Sequence, residues 1–217
     1  MIAEAYGALL AAAKPLLAPA FTAGGSSFTW LELWACAIAI VMVLANLRVN
    51  PVAWPLAIIS SLMYALLFAD SKLYGEASLQ IVFVVLALWG WWQWLRGRGA
   101  DGAALQVRVL AWKLRGLALA ATLLAWPLLG LLLQRVTDSD VPYLDALPTM
   151  GSITGQILLG RKCVENWAVW VAVNLFSIAL FAHKGLWLTV GLYAVFTALA
   201  VAGWRAWALQ ARHVGAA

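Results

Sequence analysis

The chain has 217 residues, of which 65% are apolar and 11% are charged, and its formal net charge is +5. Soluble globular domains are about 45–50% apolar and about 25% charged, so this composition excludes an ordinary soluble domain. It predicts an integral membrane protein. At about 20 residues per span, the length allows about seven transmembrane helices and no separate soluble domain.

Residues 1–29 precede the first long apolar run and are predicted to be an amphipathic, extramembrane segment. They contain Glu4, Lys14, Pro15 and Pro19. They lack the small-residue cleavage pattern that follows a basic start in a signal peptide. We expect residues 4–20 to form a surface helix and not a span.

Apolar runs broken by charge or proline predict seven spans, and therefore an all-α polytopic membrane protein. The runs are residues 30–47, 52–68, 73–95, 114–133, 147–159, 167–182 and 186–206. The fifth is short and rich in Gly, Ser and Thr, so it can cross the membrane only if its flanks extend it. Asn50, which precedes Pro51, and Asn166 are the expected N-caps of the second and sixth helices.

The distribution of basic residues predicts the orientation. Ten of the fourteen Lys and Arg residues lie at the ends of the odd-numbered spans: Arg48, Arg96, Arg98, Arg108, Lys113, Arg115, Arg161, Lys162, Arg205 and Arg212. Basic loops stay in the cytoplasm, so the N-terminus should be outside and the tail, residues 208–217, inside the cell at the inner membrane. The positive charge suits anionic membrane lipid, and nucleic acid is not an expected partner.

Two tryptophan motifs occur once in each half of the chain, in the same order. They are Asn50-x-x-x-Trp54 with Asn166-x-x-x-Trp170, and Gly90-Trp91-x-x-Trp94 with Gly203-Trp204-x-x-Trp207. They predict a three-helix repeat at 30–96, a basic loop and linker helix at 97–134, and a second repeat at 135–207. A single linker helix lets both repeats insert in the same direction, which gives the parallel 3+1+3 arrangement of SWEET-type facilitators.

The stretch NWAVWVAVN, residues 166–174, predicts a binding site. Trp167, Trp170 and Asn174 stand at i, i+3 and i+7 and share one helix face. An amide in hydrocarbon costs several kcal/mol unless it is paired. By the motif alignment, the first repeat has Pro51, Trp54 and Ile58 at the matching places, and an asymmetric ligand needs unlike halves. We therefore expect a stacking box for a flat ring, against the alternative of an aromatic belt with an interhelical amide.

These motifs resemble the PnuC family of vitamin transporters. The resemblance rests on WxxWxxxN at residues 167–174, SITGQ at 152–156, LF at 180–181, KGL at 184–186, LYGE at 73–76 and Gln80. It implies seven spans with one substrate path between the repeats. It also implies a vitamin nucleoside, nicotinamide riboside or another vitamin such as thiamine or riboflavin, that moves by facilitated diffusion and is trapped by a cytoplasmic kinase. The motif itself carries over to Trp167, Trp170 and Asn174.

Further polar residues at membrane depth are candidates for the same site. They are Gln80, Asn46, Gln156, Thr154 and Tyr193. Such side chains are accommodated most cheaply when they face an aqueous path. Each is about as readily explained as an interhelical hydrogen-bond partner, so both interpretations stay open.

The sequence favours a transporter that uses no cofactor, metal or energy source of its own. It has no GxxxxGK[ST] phosphate loop, and its acidic residues lie at span ends rather than at membrane centre. An intramembrane enzyme is disfavoured because GxSxG and HExxH are absent and both histidines lie at or beyond span ends. A substrate-binding subunit that needs a partner ATPase stays open, as does a homo-oligomer.

Overall fold

The structure, a computed structural model, describes residues 14–23, 26–70, 74–99, 102–136, 141–183 and 187–214. Within these residues a two-stranded β-hairpin precedes seven α-helices. The strands are β1 (Pro19–Ala23) and β2 (Ser26–Thr29). The helices are α1 (Trp30–Leu47), α2 (Ala53–Asp70), α3 (Tyr74–Arg96), α4 (Trp112–Val136), α5 (Pro142–Gly160), α6 (Glu165–His183) and α7 (Trp187–Val214).

The predicted architecture of seven membrane helices is confirmed. Every described helix except α5 is long and apolar enough to cross a membrane by itself. α5 is extended by its flanks to 19 residues, with Pro142 at its first turn and Pro148 inside it. At the other end of the chain, α7 continues to Val214 and so includes most of the predicted tail. The KGL residues at 184–186 of the family motif lie outside the described residues.

The predicted surface helix over residues 4–20 is wrong in its described part. Residues 14–18 form turns and bends, and β1 pairs with β2 in an antiparallel hairpin. Pro15 and Pro19 each remove a backbone donor that a helix needs. The strands carry Phe, Thr and Ser, and Phe21 stacks on Phe28 across the hairpin with ring centroids 5.1 Å apart. Residues 4–13 lie outside the described part of the chain.

The chain divides into two compact units. Unit one is Met1–Ala45 with Val52–Leu88, and unit two is Asn46–Pro51 with Trp89–Ala217. In unit one, the buried hydroxyl of Ser60 donates to the carbonyl of Ala35 at 3.1 Å and ties α2 to α1. In unit two, α4 packs on α5, α5 on α6 and α6 on α7.

The basic loop between α3 and α4 is docked on the turn that joins α5 to α6. Arg108 forms a parallel bridge with Cys163, through N–H to carbonyl bonds of 3.0 Å to Lys162 and 2.9 Å from Val164. Burial lowers the pKa of Lys162 and raises the pKa of the Cys163 thiol, so this thiol stays protonated at neutral pH. The backbone hydrogen bonds of Arg108 therefore attach the basic loop to the second repeat.

Glu165 fastens the start of α4 to the same turn. Both of its carboxylate oxygens accept from the Leu110 N–H at 3.1 Å, and the guanidinium of Arg115 lies 2.8 Å from one of them. A carboxylate in the first turn also suits the positive end of the α6 dipole. The linker helix is thus anchored to α6 at its first turn.

Helix boundaries give the register of the internal repeat. α1 ends at Leu47 and α5 at Gly160, and the same separation along the chain joins Val49 and Lys162, which both have a positive φ in the turns that follow these helices. We call this separation the repeat offset. The Gly-Trp-x-x-Trp motifs obey it, but the motif alignment of Trp54 with Trp170 does not.

The predicted alignment of Trp54 with Trp170 is therefore wrong, by just under one helical turn. The repeat offset pairs Trp54 with Trp167 instead. In the same register, Ala57 is the partner of Trp170, and Ser61 is the partner of Asn174. The two repeats thus share the first tryptophan of the α6 motif and differ at its other two positions.

The predicted N-cap role of Asn166 is also wrong. α6 begins one residue earlier, and the Asn166 amide nitrogen donates to the Cys163 carbonyl at 2.7 Å, whereas an N-cap side chain accepts from the backbone. The first turn of α6 instead carries the carboxylate of Glu165, which binds the docked loop. Asn166 is fully buried, and its Oδ1 has no hydrogen-bond partner among the described residues.

Candidate functional site

Trp170 packs against the backbone of α5. Gly155 lies where the indole approaches: a Cβ at this glycine would be 3.1 Å from Cε2 and 3.2 Å from Nε1 of Trp170. Gly155, the glycine of the SITGQ motif, therefore leaves room for the Trp170 ring. α5 and α6 together fix the Trp170 indole on the side that faces α5.

Trp167 packs against the neighbouring helix on its other side. A Cβ at Gly203 of α7 would lie 2.6 Å from three atoms of the Trp167 ring, and Trp207 meets the ring edge-on at a centroid distance of 5.6 Å. Trp167 is 3% exposed, and its indole Nε1 has no acceptor in the described part of the chain. Buried donors are usually satisfied, so this N–H is available to water or to a ligand.

Asn174 is buried and begins a polar and aromatic stripe on α6. Ser177 and Phe181 follow at i+3 and i+7 from Asn174, on the same helix face. Tyr193 of α7 completes the group, because its ring lies 5.2 Å from that of Phe181 and its hydroxyl is close to that of Ser177. Trp170 stands one turn before Asn174, so an aromatic face, an amide and two hydroxyls follow one another along α6 and its neighbour.

Two predicted site residues, Gln156 and Thr154, lie on α5. Gln156 is buried, at 9% exposure. The Thr154 hydroxyl instead lies 2.7 Å from the hydroxyl of Thr122 on α4. Both threonines line a cavity of about 400 Å³ among α4, α5 and α6, whose lining does not include Trp170 or Asn174. The contact with α4 favours the interhelical interpretation of Thr154.

The last two predicted residues lie on the first repeat. Asn46 is buried at the end of α1, in unit two, and its backbone carbonyl accepts a 3.1 Å hydrogen bond from Nε1 of Trp207. Gln80 is half-buried on α3, in unit one. Their predicted contacts with a ligand stay predictions.

Sequence reasoning about the site did not include Gly155, Gly203, Ser177 and Trp207. The glycines and Trp207 hold the two motif tryptophans, and Ser177 extends the polar stripe. Helical spacing could have found Ser177, which stands at i+7 from Trp170. The glycine contacts depend on which helices are neighbours, which periodicity does not give.

A polytopic bundle of repeated three-helix units, with a polar stripe buried at membrane depth, defines a multi-pass membrane transporter. The sequence model of the family described as nicotinamide mononucleotide transporter matches residues 29–209. The chain belongs to this family and is a vitamin transporter of the PnuC type.

Individual relatives agree with this assignment. The chain is 25% identical over 218 residues to the nicotinamide riboside transporter PnuC of Escherichia coli, covering 89% of this chain and 91% of that one. It is 29% identical over 197 residues to the riboflavin/roseoflavin transporter RibM of Streptomyces davaonensis, covering 89% and 92%. Its fold matches a crystal structure of the vitamin B3 transporter PnuC with a TM-score of 0.70, at 23% identity and covering 85% and 83%.

Proposed function

We propose that the chain carries nicotinamide riboside across the membrane by facilitated diffusion, and that a cytoplasmic kinase then traps the vitamin. The observation that carries the proposal is the α6 stripe of Trp170, Asn174, Ser177 and Phe181, with Tyr193 packed against it. It offers the three kinds of contact that this nucleoside needs.

Each part of nicotinamide riboside has a matching group in the stripe. The pyridinium ring is cationic and flat, and an indole face such as that of Trp170 attracts it by stacking and by a cation–π interaction. The carboxamide needs both a donor and an acceptor, which the Asn174 amide supplies. The ribose hydroxyls suit the hydroxyls of Ser177 and Tyr193. We assign these four residues to the substrate, with Trp167 and Gln156 beside them.

Riboflavin is the second candidate, and a specific observation favours it. The relative with the higher identity of the two described above is the riboflavin/roseoflavin transporter, at 29% against 25%. An isoalloxazine would also stack on an indole and pair with an amide. It differs from nicotinamide riboside in being larger and uncharged, so direct competition separates the two.

Uptake by the purified protein in liposomes, with no nucleotide and no other protein, tests the proposal. We expect saturable entry of labelled nicotinamide riboside that stops when the inside and outside concentrations are equal, with or without a proton gradient. The reason is that no ionisable residue is predicted at membrane centre to couple transport to protons. Unlabelled nicotinamide riboside should compete better than riboflavin or thiamine.

The other outcomes have distinct meanings. If riboflavin competes more strongly than nicotinamide riboside, riboflavin is the substrate, and the proposed site stays the same. Accumulation that a protonophore abolishes would contradict facilitated diffusion. Uptake that appears only with an added ATPase would indicate a subunit of a larger transporter. Empty liposomes and liposomes containing heat-denatured protein give the background.

We also propose that the N-terminus is outside and the C-terminus is cytoplasmic. In unit two the ends of α1, α3 and α5 and the later part of α7 meet through contacts among Asn46, Trp94, Leu159 and Trp207. The predicted basic ends of the odd-numbered helices therefore lie together, and the positive-inside rule assigns that end to the cytoplasm. A reporter enzyme fused after Ala217 should be active only as a cytoplasmic reporter. Activity of a periplasmic reporter at the same position would reverse the orientation.

A further inference from the structure

Two tryptophans make reciprocal contacts between the repeats. Trp94, at the end of α3, donates its indole N–H to the carbonyl of Leu159, at the end of α5, at 3.0 Å. Trp207, on α7, donates to the carbonyl of Asn46, at the end of α1, at 3.1 Å. The repeat offset separates Trp94 from Trp207, and it also separates Asn46 from Leu159. In each case the third helix of one repeat holds the first helix of the other.

The acceptors are built alike. The Asn46 carbonyl also accepts from the N–H of Val49 at 3.0 Å, and the Leu159 carbonyl from that of Lys162 at 2.9 Å. Val49 and Lys162 are again separated by the repeat offset, and both have a φ of 53°. This left-handed conformation is costly for a β-branched valine and persists only where surrounding contacts impose it. The carbonyl at each helix end therefore accepts two hydrogen bonds, one from a tryptophan indole and one from the backbone N–H of the left-handed residue.

The two tryptophans also touch each other. Their ring centroids are 6.0 Å apart, and both side chains are buried. Trp207 also packs edge-on against Trp167 of the family motif, with ring centroids 5.6 Å apart. On the other side, the ammonium of Lys162 lies 5.1 Å from the centre of the Trp94 ring and donates to the Leu105 carbonyl of the basic loop. A row of aromatic contacts thus leads from the basic loop to the α6 motif.

We infer that Trp94 and Trp207 form a symmetric latch that closes the basic-loop end of unit two and must open for substrate to leave there. This rests on the proposed transport function. Because the rings touch and each holds the opposite repeat, the two hydrogen bonds break together. Opening the latch also removes the support that Trp207 gives to Trp167, which couples release to the motif.

Hydrogen–deuterium exchange of the two left-handed amides tests the latch without any substrate. Trp94→Phe and Trp207→Phe each remove one indole donor and keep an aromatic ring. The latch predicts that either single variant speeds exchange at both Val49 and Lys162 by about fivefold, the factor for one ordinary hydrogen bond. Trp91→Phe and Trp204→Phe are the matched controls, since they belong to the same motifs at the same spacing. They should leave both amides unchanged.

The alternative is two independent helix caps. In that case Trp207→Phe would loosen only Val49, and Trp94→Phe only Lys162, and the latch would be overturned. Vitamin exchange in liposomes gives the second readout: both single variants should change its rate by the same factor, and the two controls should not. If each variant speeds hydrogen exchange at both amides but the protein moves no vitamin, the latch stands and the transport function is refuted. If each variant speeds hydrogen exchange at both amides in an active transporter, but the rate of vitamin exchange is unchanged, the latch has no part in the transport step.

Discussion

Gly203→Ala is expected to damage both the stability and the binding site of the protein. The added Cβ would lie 2.6 Å from three atoms of the Trp167 indole, closer than real contacts allow. The ring cannot retreat freely, because Trp207 lies against it at 5.6 Å. Overpacking of this kind costs about 1–3 kcal/mol. The midpoint of thermal unfolding, followed by tryptophan fluorescence in detergent, should fall, and substrate affinity should fall with it.

Two other glycines are controls for this substitution. Gly191→Ala, in the same helix, places a Cβ with nothing within 4 Å and should leave the midpoint unchanged or raise it, because alanine favours helix over glycine. Gly155→Ala should have an intermediate effect, since its Cβ would lie 3.1 Å from the Trp170 ring. A Gly203→Ala protein as stable as the Gly191→Ala protein would mean that α7 does not hold Trp167 as described.

Trp170→Ala and Asn174→Leu should each weaken vitamin binding by roughly 1–3 kcal/mol, the scale of a lost aromatic contact or of a buried polar group left unpaired. Trp170 loses its ring from beside Gly155, and Asn174 loses the amide from a buried position on α6. Calorimetric titration of monodisperse, detergent-solubilised protein measures the affinity. The size-exclusion profile shows whether a variant has lost its site or its fold.

Leu175→Ala is the matched control on the same helix. Leu175 follows Asn174 and is 53% exposed, on the outer side of α6. Its truncation should leave the affinity unchanged within about 0.5 kcal/mol, as for an ordinary surface position. If Asn174→Leu binds the vitamin as tightly as this control, the amide is an interhelical contact, and the substrate site must be sought elsewhere.

The helices were largely predictable from the sequence because a membrane span is a long apolar run with polar ends. Trp30–Leu47 was predicted to the residue, and α5 was underestimated because its Gly- and Pro-containing flanks are weakly apolar. The hairpin was missed because residues 14–29 carry no strong periodicity, and the prolines were given a helical interpretation. The periodicity of apolar residues does not identify the secondary structure of such a segment.

The register of the repeat and the packing of the site needed the structure. The many tryptophans offer more than one way to align the halves, and matching Trp54 with Trp170 was plausible until the helix ends fixed the repeat offset. The site motif itself could be found by helical spacing. Which helix each ring meets could not, because Gly155 and Gly203 belong to other helices than the motif does. The contact of Thr154 with the linker helix was unpredictable for the same reason.

The constant spacing has a consequence for how such a chain can have arisen and diversified. If one three-helix unit first paired with a copy of itself, a single tryptophan and a single helix end would have produced both contacts now made by Trp94 and Trp207, as in any isologous interface. In such a dimer every substitution occurs twice. Once a linker joined the copies, the positions now held by Trp170 and Asn174 could change without altering their mates in the first repeat. Fusion would thus have kept the paired tryptophan contacts in both repeats, while the second repeat became free to change for substrate recognition.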